Sequence, residues 1–214
     1  MNNLDVARTL LETRTVFFAF DKPYISYCKY NLPIYIDNRL LLSYPKVRKK
    51  ITACLVKKIK EKYPDVEMII GIAIAGIAFA MMVSEAMHLP MGYVLSAEKD
   101  HGMRNRVEGV LRENTKVVVV DDVVCTGSSL LDVVECLREH SCDILGAVSI
   151  FSYETRDTTD RLIRKNIPYY PLTEYSTLIK LAYDYGKIRT ADYEKAKAFL
   201  TDPSKLNKNH NGNI

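Results

Sequence analysis

The sequence predicts an α/β protein, a doubly wound and mainly parallel sheet with a small N-terminal hood. Three observations carry that prediction. From Val66 onward, short apolar runs alternate with helix-like amphipathic segments. Those runs are uniformly apolar, as in Val117–Val120, which is the pattern of strands covered on both faces. Ahead of them, Val16 to Asp37 is rich in aromatic and β-branched residues and is punctuated by Pro23 and Pro33, so it reads as short strands and turns.

Each element follows in order. Asn2 to Thr13 is a short helix with Leu4, Ala7, Leu10 and Leu11 on one face. The hood comes next, and Tyr44 to Tyr63 is then an amphipathic helix whose outer face carries Lys46, Arg48, Lys49, Lys50, Lys57, Lys58, Lys60 and Lys62. Such a run is the pattern of a solvated helix face. The alternation then gives strand Val66–Ile70, helix Ile77–Met87 and strand Met91–Leu95, followed by a polar loop to about Gly109. Strand Lys116–Val120 and helix Ser128–Glu139 follow, then strand Ile144–Tyr153 and helix Thr158–Lys165. Strand Tyr169–Leu172 and helices Tyr175–Tyr185 and Ala191–Leu200 complete the pattern. One domain is expected over residues 1–203, with the hood over about 1–43. The tail 204–214 has only Leu206 and Ile214 among polar residues, too little to build a packed segment, and is expected to be disordered.

Composition narrows the function classes. The 214 residues are 48% hydrophobic and 26% charged, ordinary for a globular protein with a sizeable core. A net charge of +4 is too mild to argue for nucleic acid, although it suits an anionic small ligand. Five cysteines without a Cys-x-x-Cys pair, and four scattered histidines, give neither a disulfide framework nor a zinc site, so a reducing cytoplasmic setting is expected. The N-terminus mixes acids and bases, unlike a signal peptide. The most apolar stretch, Met68–Met87, is broken by Gly71, Gly76, Ser84 and Glu85, which argues against a membrane span.

The chemistry concentrates in KVVVVDDVVCTGSSL, residues 116–130. In a doubly wound sheet, ligands sit beyond the carboxyl ends of the strands. Asp121 and Asp122 fall at such an end, and Val123, Val124, Cys125, Thr126, Gly127, Ser128 and Ser129 lead into a helix. The first amides of a helix lack intrahelical partners and face a positive dipole end, so this turn suits a phosphate. The acids would repel a phosphate held against them, but a few ångströms away they suit sugar hydroxyls or metal-bound water. A ribose 5-phosphate meets both demands. Read alone, the stretch also fits a buried strand followed by solvated acids and a capped helix. A second loop, GIAIAG at 71–76, is made of small residues (Gly71, Ala73, Ala75, Gly76) that let backbone amides approach a ligand or let a helix pack tightly. It is no P-loop, because Ile77 and Ala78 stand where Lys and Ser/Thr are required, and no G-x-G-x-x-G occurs. A third stretch, Ser96–Gly109, sets Lys99, His101, Arg104 and Arg106 in a polar loop closed by Gly109 and is a candidate lid.

These three stretches together resemble the type I phosphoribosyltransferases, and within them the orotate phosphoribosyltransferase family. VVVVDDVVCTGSS resembles the phosphoribosyl-pyrophosphate signature. KDHG at 99–102 with VEG at 107–109 resembles the orotate enzymes' catalytic loop, and GIAIAGIAFA resembles their pyrophosphate loop. DNRLLLSYPKVR at 37–48 and VSIFSYE at 148–154 resemble stretches of the Gram-positive-type enzymes.

The resemblance implies the type I phosphoribosyltransferase fold and a reaction: phosphoribosyl pyrophosphate (PRPP) and orotate give orotidine 5′-monophosphate and pyrophosphate, with Mg²⁺. It implies Lys99 and His101 at the pyrophosphate, Asp121 and Asp122 at the ribose hydroxyls with Mg²⁺ nearby through water, and residues 125–129 at the 5-phosphate. Gly71, Ala73, Ala75 and Gly76 would run along the pyrophosphate, and Cys125, Tyr27 and Asn31 would lie toward the base. It further implies a cytoplasmic homodimer with shared active sites, with no membrane or nucleic-acid partner. The chain departs from the family pattern at Leu95, where Arg is usual, at Ala97, where Lys is usual, and in the hood stretch YCKYNLP at 27–33. These departures keep two alternatives open: a non-catalytic or regulatory relative that binds PRPP or a nucleotide, and a phosphoribosyltransferase for another base.

Overall fold

A computed structural model of the protein describes residues 1–21, 24–25, 31–95 and 106–203. The chain opens with helix α1 (Asn3–Glu12), whose start is fixed by a capping box: the Asn2 side chain accepts from the Asp5 amide, and the Asp5 side chain accepts from the Asn2 amide. The hood follows as strands β1 (Val16–Phe18), β2 (Tyr24–Ile25), β3 (Asn31–Leu32) and β4 (Ile34–Ile36). β1 pairs antiparallel with β4, and β2 with β3, so the segment read as short strands and turns forms two small ribbons. A 3₁₀ segment (Asn38–Ser43) leads to helix α2 (Pro45–Lys62), where Pro45 takes the first helical position that tolerates a missing N–H.

The remaining elements are β5 (Met68–Ile72), α3 (Ala75–Met87), β6 (Met91–Val94), β7 (Val107–Glu108), β8 (Lys116–Val124), α4 (Ser128–Glu139), β9 (Asp143–Ser152), α5 (Arg156–Arg164), β10 (Tyr169–Glu174), α6 (Tyr175–Asp184) and α7 (Thr190–Thr201). The six-stranded sheet has the order β10-β9-β8-β5-β6-β7, parallel throughout except at the β7 edge. The order reverses beside β8, where β5 lies on one side and β9 on the other, which is where a doubly wound sheet opens a ligand crevice.

The valine run explains why β8 is central. Val117, Val118, Val119 and Val120 are fully buried, but on alternating faces. Val118 and Val120 enter the core shared with α1, α2, α3, α6 and the hood, and Val117 and Val119 enter the one covered by α4 and α5. Each such side chain contributes on the order of 2 kcal/mol.

Three of the differences from the expected boundaries bear on the site. β8 does not stop at Val120 but runs through both aspartates to Val124, because β9 is long enough to keep pairing with it, from Asp121 opposite Ser149 to Val124 opposite Ser152. The polar loop before Gly109 contains β7, which adds an antiparallel edge strand to β6. Helix α3 begins at Ala75, two residues before the expected Ile77, since Ala75 and Gly76 already sit in its first turn.

Candidate functional site

The crevice beside β8 is a cleft of about 260 Å³. Its floor is the end of β8, with Asp121, Asp122, Val123 and Val124. One side is the turn Cys125–Ser129, and the other is the hood wall of Leu32, Tyr35, Ile36, Asp37 and Arg39. Ala75, in the first turn of α3, Leu130 and Tyr153 complete the lining.

The turn is shaped by Gly127, whose φ of +68° strains any residue with a Cβ and which stands as the N-cap of α4. The N-cap Gly127 supplies no side-chain cap to α4; the Ser128 amide makes a long 3.4 Å bond to Thr126 Oγ1, and the amides that follow it in the first turn remain available to a ligand. Ser128 and Ser129 are exposed at that point, Thr126 is half-buried and Cys125 is buried. The Thr126 hydroxyl donates to Ser128 Oγ at 3.1 Å.

The two acids differ. Asp121 is buried, and that burial, reinforced by the neighbouring Asp122 charge, lifts its carboxyl well above the usual carboxylate range. Its Oδ1 accepts from the Asp122 amide at 2.8 Å. Asp122 is also lifted by burial, with the Arg39 charge pulling the other way. Arg39 is itself held by Asp37 through Nε–Oδ1 at 2.6 Å and Nη2–Oδ2 at 2.8 Å, and that hydrogen bonding holds the Asp37 carboxyl below its ordinary range. Asn38, fully buried, donates from Nδ2 to the Asp122 carbonyl at 2.9 Å and so ties the hood to the floor. Tyr153 adds a second tie, its hydroxyl donating to the Ile34 carbonyl at 3.0 Å.

Among the residues singled out from sequence, the fold brings together Asp121, Asp122, Val123, Val124, Cys125, Thr126, Gly127, Ser128, Ser129 and Ala75. Gly76 backs them from behind: a Cβ there would meet the Val120 carbonyl at 2.7 Å, so only glycine lets α3 approach the acids so closely. Gly71 is a buried packing position inside β5, and Ala73 is half-buried, its amide donating to the Val94 carbonyl at 3.0 Å. Asn31 lies in β3 beside Leu32, which lines the cleft where Asn31 does not. Lys99, His101, Arg104 and Tyr27 lie outside the described residues. Arg106 does not extend toward the cleft. Its guanidinium pairs with Asp132 of α4, and its Nε donates to the Leu95 carbonyl at 3.1 Å. Among the described residues, no three of His, Cys, Asp and Glu gather closely enough to cage a metal, and no helix is long and apolar enough to cross a membrane.

The hood wall was the part missed from sequence. Tyr35, Asp37, Arg39 and Tyr153 reach the cleft only through tertiary contacts, and the one local signal was the polar triplet Asp37-Asn38-Arg39 straight after the apolar β4.

A family model described as a phosphoribosyl transferase domain matches residues 40–180. The orotate phosphoribosyltransferase of Bacillus cytotoxicus is 45% identical over 200 residues, covering 94% of this chain and 95% of that one. The chain belongs to the orotate phosphoribosyltransferase family. A Bacillus cereus member is 45% identical over the same shares of the two chains. Among solved structures, orotate phosphoribosyltransferase from Aeropyrum pernix superposes with a TM-score of 0.75 at 24% identity, covering 86% of this chain and 99% of that one. Leishmania donovani UMP synthase gives 0.79 at 22% identity, covering 93% of this chain and 42% of that one. These structural likenesses extend the fold assignment to distant members. The type I fold expected from the signature motifs is the one observed, a mainly parallel sheet under a hood.

Proposed function

We propose that the protein transfers the phosphoribosyl group of PRPP to orotate, giving orotidine 5′-monophosphate and pyrophosphate. The observation that carries this is the juxtaposition, in one cleft, of an uncapped helix N-terminus and a pair of aspartates at the sheet's crevice, in a chain 45% identical to orotate phosphoribosyltransferases. We take residues 1–203 as one catalytic domain, with residues 1–43 as its hood.

The roles follow from the chemistry. The 5-phosphate sits on the amides and hydroxyls of Cys125–Ser129, which anchors the sugar. Asp121 and Asp122 accept from the ribose hydroxyls and fix the ring, so that C1 faces the pyrophosphate side. As the C1–oxygen bond breaks, positive charge develops on the ring and negative charge on the leaving pyrophosphate. The carboxylates stabilise the first, and Lys99 and His101 the second. No protein nucleophile takes part. The base lies against the hood, toward Cys125 and Tyr27, and not toward Asn31, which the cleft leaves aside. Two adjacent carboxylates without a third ligand fit Mg²⁺ held mostly by substrate oxygens and water, and the ion, when bound, neutralises charge on the departing pyrophosphate. The protein acts as a cytoplasmic homodimer with shared sites.

The test is orotate depletion followed spectroscopically with PRPP and Mg²⁺. Steady turnover is expected, and PRPP binding without turnover would refute the enzyme reading. One observation favours a second reading, in which the protein binds PRPP but turns it over poorly. Leu95 ends the β6 side with no guanidinium to offer, and the nearby Arg106 is committed to Asp132.

A further inference from the structure

The turn that faces the cleft has a back, and the back is held by one helix. Three residues on one face of α5, from its cap to its last turn, touch the turn. Thr158 donates from Oγ1 to the Cys125 carbonyl at 2.6 Å, and Thr155, the N-cap, sets its Oγ1 3.3 Å from the same carbonyl. Thr155 gives its one hydroxyl proton to Thr158 Oγ1 at 2.6 Å, which holds Thr158 in place, and both threonines are buried. One helical turn on, Arg161 Nη1 donates to the Thr126 carbonyl at 2.9 Å and to Ser128 Oγ at 3.2 Å. Asp157 lies 3.8 Å from that guanidinium and steadies it from within the helix. None of Thr155, Thr158 and Arg161 lines the cleft.

Peptide geometry converts this backing into an orientation. In a trans peptide the C=O and the following N–H point in opposite directions. Both peptides here are trans, so holding the Cys125 and Thr126 carbonyls against α5 turns the Thr126 and Gly127 amides away from α5. Ser128 is oriented by a separate count. A hydroxyl has one proton and two acceptor sites. Ser128 Oγ accepts from Arg161 and from Thr126 Oγ1, which fills both sites and leaves its own proton for the cleft.

We propose that Thr155, Thr158 and Arg161 form a positioning device for the phosphate end of the site, with Arg161 as its adjustable member. By gripping the carbonyl side of the turn, they preset two amides and one hydroxyl to donate to the sugar phosphate, and the Arg161 charge, one residue behind, adds attraction for the dianion. This rests on the reading of the turn as the seat of the 5-phosphate. It assigns to α5 a role in PRPP affinity and none in departure of the pyrophosphate.

The experiment uses the full chain and two probes, ribose 5-phosphate and Mg-pyrophosphate, each titrated calorimetrically against the wild type, Arg161→Ala and Arg161→Lys. Arg161 is partly exposed, so the alanine variant is expected to fold. It should bind ribose 5-phosphate about tenfold more weakly and pyrophosphate less than about twofold more weakly, as loss of a charged hydrogen bond at one end of the site requires. Arg161→Lys keeps the charge but not the planar Nη1 group that makes both bonds, and should fall between. In turnover, KM for PRPP should rise in Arg161→Ala while kcat stays within about twofold. Equal weakening of both probes, or unchanged ribose 5-phosphate binding in both variants, would overturn the proposal. A wild type that binds pyrophosphate but not ribose 5-phosphate would instead remove the phosphate assignment of the turn, and the proposal with it. If the alanine variant does not fold, the lysine variant is read alone, and equal affinity to wild type for ribose 5-phosphate is then the refuting result.

Discussion

The two ends of the cleft are built differently. At the phosphate end, the turn Cys125–Ser129 is fixed from several sides: Gly127 sets its bend, α5 grips its carbonyls, and its hydroxyls bond each other. At the end toward Gly71–Gly76, the described residues offer small side chains, an exposed Ile74 and no cation, and Leu95 stands where the family usually has arginine. The difference teaches that anchoring and departure are separable tasks in this fold. In the proposed reaction anchoring would fall to preset backbone, which needs little from side chains. Stabilising a leaving group needs charge, and in the proposed reaction Lys99, His101 and Mg²⁺ would supply it.

The sharpest way to break this comparison is at the floor between the two ends. Asp121→Asn combined with Asp122→Asn should lower kcat by about 10³-fold, while binding of inorganic phosphate, which carries no ribose hydroxyls, changes far less when measured calorimetrically. Equal losses in both would mean the acids serve the phosphate end rather than the reacting sugar. Next in size, Gly76→Val forces a Cβ to within 2.7 Å of the Val120 carbonyl and should destabilise the fold by about 2–3 kcal/mol in urea denaturation. Leu95→Arg tests the departure end and should raise kcat/KM for PRPP about tenfold, read in the orotate-depletion assay. An unchanged value would show that the arginine position is silent in this chain.

The smallest expected effect concerns pH. Asp121 ionises near 3.9 when unfolded, and burial raises its value in the folded protein. Between those two values the folded state holds more protons than the unfolded one, so this group's contribution to stability falls as pH climbs through the window and is flat above it. Asp122 acts in the same direction. Asp121→Asn should therefore flatten that slope and raise the melting temperature at pH 7.5 by about 2–4 °C, with less gain at pH 4.5. A variant that melts lower at both pH values would show that the carboxyl contributes stability instead.

The same division governs what the sequence could disclose. The phosphate end is contiguous: strand, acids, turn and helix follow one another within 116–130, so periodicity and turn chemistry were enough to place it. Even there the strand boundary was set four residues early, because aspartates are poor strand formers and the pairing of Asp121 with Ser149 is a property of β9, not of the local stretch. β7 is two residues long and exists only by pairing with β6, so no local pattern announces it. The hood wall is assembled across long separations, with Asn38 reaching residue 122 and Tyr153 reaching residue 34. The α5 contacts with the turn span more than thirty residues in the same way, and Thr155-x-x-Thr158-x-x-Arg161 is visible as a motif only once its partner surface is known.

The bond from the Asn38 amide to the Asp122 carbonyl has a mechanical corollary. A roof stitched to its own foundation cannot swing open as a lid does without pulling the Asp122 peptide out of register. Traffic of substrate and nucleotide is therefore expected through the side of the chamber, leaving the roof stationary during the cycle. A spin-label distance from the β4 strand to α4 should stay constant between the empty and the nucleotide-filled protein.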